Sequence, residues 1–365
     1  MNKLLTTFVL LTLLSTIETF TLPNINALLN SFKGFDARFK KKYRSSSEYN
    51  YRQEIYDQNM QDIQNFNKEK HSWNKGENMF TDMTDQEKRI YLGALALPSN
   101  VDVANLNNSF PNGNVESSDN NAAPVASGLV GSTTTTDPFA SLPQKIDWQA
   151  AGIITPVKNQ GSCGSCWAFT ATAIVESLYQ KKFNYALNLS EQELIDCATT
   201  STYINYGCSG GFSINALSYY KLFGVVMEQY YPYTTTQKTC KRPLTVGAYN
   251  INKVTTVQTG SLIAFLKALS IGPVATAYFV ANDFFSYKSG IYVPSAACVA
   301  STTINHAVLA VGYDLNPAAP YIKFKNSWGS TFGESGYFRM SINLVDAGNG
   351  PCNLLKFGVT GYAAI

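Results

Sequence analysis

Two cysteines stand three apart in the stretch Gln160-Gly-Ser-Cys163-Gly-Ser-Cys166-Trp167-Ala-Phe169. Beyond them, apolar residues at Trp167, Phe169, Ala173, Ile174 and Leu178 predict a mostly buried helix over 167–178. Cys166 then falls at or near the helix N-terminus. Free backbone N–H groups and the positive end of the helix dipole favour a negative charge there. A thiolate is such a charge, so the position predicts a lowered thiol pKa and a reactive cysteine. A cysteine nucleophile needs a base, and the base needs an orienting partner. The chain has only two histidines. His71 lies in a cysteine-free region and reads as a solvated residue. His306 opens the apolar run His306-Ala-Val-Leu-Ala-Val-Gly-Tyr313. A lone histidine at a strand edge is more often structural than catalytic, but a reactive-looking cysteine and an odd thiol count reverse those odds. Lys325-Asn326-Ser-Trp328-Gly329 supplies an amide that can accept from the imidazole and fix its tautomer, and an indole to keep water off that contact.

The seven cysteines are Cys163, Cys166, Cys197, Cys208, Cys240, Cys298 and Cys352. The N-terminus carries Lys3, an apolar run from Leu4 to Leu14, and small or polar Ser15 and Thr16. This reads as a cleaved secretory signal, too short to span a bilayer. No other stretch suits a membrane span, so no stable membrane association is expected. The rest of the chain then enters an oxidising compartment, where disulfides persist. An odd count leaves one thiol unpaired, and arithmetic alone leaves the pairing of the other six open. Apolar content of 45% and charged content of 15% describe a globular chain of two or three units. The net charge of +3, with no basic cluster, gives no reason to expect a nucleic-acid partner. One histidine beyond residue 71 and six paired cysteines leave too few ligands for a metal, and no cofactor is expected.

The composition divides the chain into a signal segment (1–20), a polar, cysteine-free region (21–98), a linker (99–141) and a compact domain (142–365). In the second of these, Glu48, Arg52, Tyr56, Asn59, Ile63 and Asn67 fall on one side of a helix, with Glu48 and Arg52 a favourable i,i+4 pair. Gly76 to Asp82 reads as a turn or short strand. The linker is rich in Asn, Ser, Thr and Gly, with Thr133 to Thr136, and is exposed to cutting. In the last region, Ser190-Glu-Gln-Glu193 matches a capping box opening a helix through Cys197. Gly207 to Gly211 is a tight turn before a helix over 214–222, and 261–270 is another helix. Strands are predicted over 274–280, 291–293, 307–313, 321–326 and 337–340. A helix-rich half followed by a strand-rich half is an α+β pattern of two subdomains with a cleft between them.

With these motifs in this order, the chain resembles a papain-family cysteine protease precursor of the cathepsin L-like group. The Cys-Gly-Ser-Cys-Trp signature is followed by His306, 140 residues beyond Cys166, and by Asn326, 160 beyond. The resemblance implies a helical left half, a β-barrel-like right half and a small inhibitory prodomain. It implies that Cys166 is the nucleophile, that His306 pairs with it and protonates the leaving amine, and that Asn326 orients His306 under Trp328. The Gln160 side chain and the Cys166 N–H would form the oxyanion hole. It implies the bridges Cys163–Cys208, Cys197–Cys240 and Cys298–Cys352, leaving Cys166 free. Gly210 and Gly211 match the turn that binds substrate main chain. The 48–67 row and Gly76, Asn78, Phe80 and Asp82 match the two prodomain motifs, with Tyr56 where Phe or Trp is usual. Cleavage within about 131–142, often autocatalytic at acidic pH, would release the mature enzyme.

The linker is longer than the family needs, and the Cys197–Cys208 interval is slightly expanded. If Phe357 lies at the base of the pocket for the second acyl-side residue, then Phe212, Ala277, Ala307 and Phe357 make a shallow apolar pocket, with Trp328 also counted among the substrate-binding residues. The chain has no histidine-bearing insertion that would cap the cleft, so endopeptidase activity is expected over removal of dipeptides. Asn107 and Asn188 are Asn-x-Ser sequons. The resemblance further implies peptide and protein substrates, cystatin-like inhibitors as partners, a monomer, and either a lysosome-like vacuole or secretion as destination. Two rival readings are a catalytically silent papain-like binding or storage protein and a thiol–disulfide oxidoreductase using Cys163 and Cys166. The second lacks a βαβ unit before its Cys-x-x-Cys motif.

Overall fold

The computed structural model describes residues 31–95, 138–199, 203–242, 249–343 and 348–363. The expected signal segment, most of the linker and Asn107 lie outside these residues. The chain divides into a unit ending at Asn59 and a larger one from Met60 to Ile365.

In the first unit, α1 (Phe32–Phe39) starts at Ser31, whose side chain accepts from the Gly34 N–H. Helix α2 (Ser46–Asn67) starts in this unit, ends in the larger one and carries the whole predicted row. Phe32, Phe35 and Tyr56 pack together with ring centroids 4.9 to 5.9 Å apart. Tyr56 thus does the apolar work of the aromatic it replaces. Glu48 and Arg52 approach to 4.0 Å on the same helix.

The larger unit begins with more of the polar region. Strand β1 (Trp73–Lys75) is followed by a turn in which the Asn78 amide donates to the Phe285 carbonyl at 2.7 Å and accepts from the Phe80 N–H. A short helix α3 (Asp85–Lys88) is closed by a reciprocal Thr84–Glu87 capping box. Then come β2 (Lys145–Asp147), α4 (Cys166–Phe183), α5 (Glu191–Cys197) and α6 (Ser213–Phe223). The rest is β3 (Ile251–Thr256), α7 (Leu262–Ile271), β4 (Val274–Tyr278), β5 (Tyr287–Tyr292), α8 (Ala296–Val299), β6 (His306–Asp314), β7 (Tyr321–Lys325), β8 (Tyr337–Ser341) and β9 (Gly358–Ala363).

The sheet order is β1-β5-β8-β7-β6-β4-β9-β3, with β2 also on β6. All pairings are antiparallel except β5 with β8. Strand β6 is the hub, bonded to β2, β4 and β7. The helical half packs around Trp167, Ile174, Leu194, Leu217 and Tyr220. The sheet half packs around Tyr278, Phe284, Tyr287, Phe324 and Phe338. A third, smaller group of Ala94, Cys166, Ala277, Ile304 and Ala307 gathers the start of α4 with β4 and β6. This is the α+β, two-subdomain arrangement expected.

Details differ from the sequence reading. Helix α4 extends past both ends of 167–178. Strands β1, β2, β3 and β9 were not anticipated: β1 and β2 are three residues long, and β9 carries two glycines that dilute its strand signal. The 190–193 capping box is only half made. Ser190 accepts from the Glu193 N–H, but the Glu193 carboxylate turns inward to the Val226 N–H at 2.9 Å and the Arg242 guanidinium at 2.7 Å. A buried charge takes the partners that best replace water, and the helix cap does not compete. His71 is exposed but not simply solvated, since its ring stacks on Phe66 at 3.9 Å.

Candidate active site

Helix α4 begins at Cys166, and its N-cap, Ser165, makes no side-chain cap bond. The Ser165 hydroxyl is instead bonded to the Tyr233 hydroxyl at 2.9 Å. Cys163 is bridged to Cys208, Cys197 to Cys240 and Cys298 to Cys352, and Cys166 is free. With Cys163 so held, no Cys-x-x-Cys redox pair exists.

His306 is the first residue of β6. Asn326 follows the last residue of β7, so the antiparallel β6–β7 pairing sets their separation. His306 Nε2 lies 2.8 Å from Asn326 Oδ1. The same oxygen accepts from the Ser327 N–H at 2.8 Å. A backbone N–H only donates, which fixes the amide's oxygen toward the ring and makes Nε2 the protonated nitrogen. Nδ1, buried and without a hydrogen-bond partner among the described residues, is then the basic one. The Trp328 ring lies 4.6 Å from the imidazole and is itself buried against Phe80, Phe285 and Phe332. Gln160 is fully buried. Its Oε1 accepts from the Ser327 hydroxyl at 2.6 Å, and its Nε2 donates to the carbonyls of Cys163 and Tyr91 at 2.8 and 3.0 Å.

Residues 91–95 lie across these groups. Gly211 donates to the Gly93 carbonyl at 2.8 Å and accepts from the Leu95 N–H at 3.3 Å, a parallel bridge centred on Ala94 and Gly211. Ala94 N–H donates to the Asn305 carbonyl at 3.0 Å. The Cys166 sulfur meets main-chain donors of Gly93, Ala94, Trp167 and Ala307. The covering segment therefore offers the sulfur the N–H groups of Gly93 and Ala94. A Cβ on Gly93 would run into the Gly164 carbonyl, so only glycine permits this approach.

The cover reverses the expected electrostatics. Burial pushes the Cys166 thiol up to about 11, against the lowering effect of its four backbone donors. Burial likewise drives His306 down to about 4, and the Asn326 hydrogen bond only partly offsets this. A lowered thiol pKa was expected from the helix N-terminus. Here desolvation wins, and thiol and imidazole are both neutral.

A cavity of about 210 Å³ lies beside the cysteine, lined by Gly211, Phe212, Ala277, Ile304, Ala307 and Phe357, with Leu95 also on its wall. Its wall also includes Lys356 and Gln258. Two predicted substrate residues are not on its wall. Trp328 covers His306 instead. Gly210 spends its main chain within its own turn, bonding Gly207 and Tyr206, while Gly211 bonds the covering segment. Asn188 is exposed.

Residues 142–357 match the papain family cysteine protease model, and residues 32–87 match the cathepsin propeptide inhibitor domain. The chain belongs to the papain family of cysteine proteases. It is 36% identical over 326 residues to thiol protease aleurain of Arabidopsis thaliana, covering 88% of this chain and 82% of that protein. It is 36% identical over 311 residues to a cathepsin L-like proteinase of Fasciola hepatica, covering 84% and 86%. Among solved structures, a recombinant stem bromelain precursor superposes with a TM-score of 0.74 at 31% identity, covering 91% of this chain and 97% of that one. Digestive procathepsin L 3 of Tenebrio molitor larval midgut gives 0.73 at 28%, covering 90% and 97%. This papain-family chain is the zymogen of a cysteine endopeptidase, with its own propeptide as intramolecular inhibitor.

Sequence reasoning missed Ser327 and Tyr233. Ser327 ties Asn326 to Gln160, and Tyr233 donates to the Gln160 carbonyl at 2.6 Å while bonding Ser165. Ser327 stood inside the Asn-Ser-Trp stretch. Tyr233 had no signal beyond its aromatic neighbours.

Two outcomes are expected of the uncleaved precursor. With the thiol at about 11, only roughly one Cys166 in 10⁴ is thiolate at pH 7, so iodoacetamide labelling should be slow and rise about tenfold per pH unit between pH 7 and 9. A rate flat across that range would mean the thiol is already ionised. Gly93→Ala should lift the segment off Gly164 and speed labelling at pH 7 by at least about tenfold; an unchanged rate would show that the contact does not hold the cover.

Proposed function

We propose that this zymogen hydrolyses peptide bonds through Cys166 and His306, with Asn326 orienting the imidazole and Gln160 with the Cys166 N–H binding the oxyanion. The observation that carries the reading is that the one free cysteine, at a helix start, takes the Ala307 N–H on its sulfur at 3.4 Å, next to a histidine whose tautomer is fixed by an amide. Removing residues 91–95 rehydrates the site. The thiol pKa then falls and the imidazole pKa rises, which favours a thiolate–imidazolium pair. The thiolate attacks the substrate carbonyl carbon. Charge develops on the carbonyl oxygen and is met by Gln160 Nε2, the donor now given to Tyr91. His306 hands its proton to the leaving amine, leaving an acyl thioester. Water, deprotonated by His306, attacks the thioester and frees the carboxylate and the thiol.

The cavity bounded by Phe212, Ala277, Ala307 and Phe357 would take an apolar second acyl-side residue. Gly211 would bond the substrate main chain. The domain division is read as a signal over 1–20, an inhibitory prodomain to 98, a linker to 141 with the processing site, and the mature enzyme from 142. The secretory route, a lysosome-like vacuole or the exterior as destination, a glycan on Asn188, a monomeric state and cystatin-like inhibitors belong to the same reading. Among the described residues no helix is long and apolar enough to cross a membrane.

Acidifying the purified precursor should give a new N-terminus between about residues 131 and 145 and one epoxysuccinyl label, on Cys166. Cleavage without a label would assign the cutting to another protease and return weight to a silent homologue. In the activated enzyme, Phe357→Ala should shift preference toward larger second acyl-side residues by about tenfold in kcat/KM; an unchanged profile would place Phe357 outside that pocket.

A further inference from the structure

A second, much smaller cavity of about 20 Å³ lies against Asn326, and four charges share its wall: buried Glu176, Glu191 and Lys325 and half-buried Lys158. Lys158 Nζ is 2.8 Å from both Glu176 Oε1 and Glu191 Oε1. Thr155 Oγ1 donates to Glu176 Oε2, and Thr172 Oγ1 donates to Glu191 Oε1, each at 2.5 Å. The Nζ of Lys325, the residue before Asn326, has one hydrogen bond among the described residues, to Thr155 Oγ1 at 3.0 Å. An ammonium has three protons to donate. Asn326 Nδ2 is buried and has no hydrogen-bond partner among the described residues, although its Oδ1 is doubly engaged. The cavity is close to one water in size; its wall is mostly apolar, but an amide and an ammonium short of acceptors, and carboxylates able to accept, border it.

We propose that this cavity is a one-water site, and that its water accepts from Asn326 Nδ2 and Lys325 Nζ and donates to the carboxylates of the cluster. The water pins the far end of the amide whose near end holds His306. Ser327 alone fixes one edge of the Asn326 side chain; with the water, both edges are fixed and the plane cannot tilt. Lys325 and the water are positioning groups that act through Asn326. Burial lowers Lys325 to about 8, as befits a charge short of partners, and the water supplies one. The inference rests on the reading of Asn326 as the orienter of His306.

The test joins a high-resolution crystal structure of the full-length precursor to kinetics of acid-activated variants, normalised by active-site titration. One ordered water within hydrogen-bond distance of Asn326 Nδ2 is expected. Ala173→Val fills the cavity from α4, and Lys325→Met removes the other donor. Both should lower kcat about tenfold and leave KM unchanged. An empty cavity, or wild-type kcat in both variants, overturns the proposal. If Ala173→Val does not fold, the crystal structure and Lys325→Met still decide. Asn326→Ala is the control. If it leaves kcat unchanged, the role given to Asn326 has failed; if it lowers kcat while the other two variants do not, only the water has failed.

Discussion

The close approach of one stretch of main chain to another governs the rest of this structure. Gly93 lies on the Gly164 carbonyl with no room for a side chain, and that contact sets residues 91–95 over Cys166. Sulfur, imidazole and Gln160 amide lose water together. The thiol rises, the imidazole falls, and the amide that would meet an oxyanion is given to Tyr91. Inhibition here needs no charged blocking group. The segment occupies the main-chain groups of Gly211, and desolvation adds to this by disfavouring the ionised form of a pair that must be ionised to react.

Beneath the cover, the reactive groups are tied to each other more than to the substrate cleft. Ser327 donates its N–H to Asn326 and its hydroxyl to Gln160, so the imidazole's orienter and the oxyanion donor share one residue. Tyr233 holds the Gln160 carbonyl and the Ser165 hydroxyl, binding that loop to the start of α4. The β6–β7 register supplies the frame. A one-residue slip would send His306 and Asn326 to opposite faces.

What could be read from the sequence was local chemistry. Cys166 before an apolar run, His306 before another, and an Asn-Ser-Trp stretch each carry their meaning within a few residues. The longer helices α2 and α4 announced themselves through period and α5 through its cap at Ser190, even though Glu193 completed a different set of bonds, whereas α1, α3 and α8 gave no such sign. What could not be read was anything decided by burial at a distance. The helix-start argument for a lowered thiol pKa was sound for an open site; the residues that overturn it lie more than 70 positions upstream. Ser327 could not be given its role, because the partner that defines it, Gln160, lies 167 residues away. Nor could Gly93 be singled out, since its need for glycine arises only against Gly164. Strand β9 was invisible because its place in the sheet is set by β3 and β4 rather than by its own composition.

The cover over Cys166 has a second consequence. In oxidising surroundings an exposed thiol is lost to sulfenic acid or to exchange with a neighbouring bridge, and the nearest bridge begins only three residues away, at Cys163. Thiolate is the species that does both, and it is scarce while the segment stays in place. The contact that keeps the enzyme silent therefore also keeps its sulfur reduced. Seen this way, the propeptide is a redox guard as well as an inhibitor, and the two duties end at the same moment.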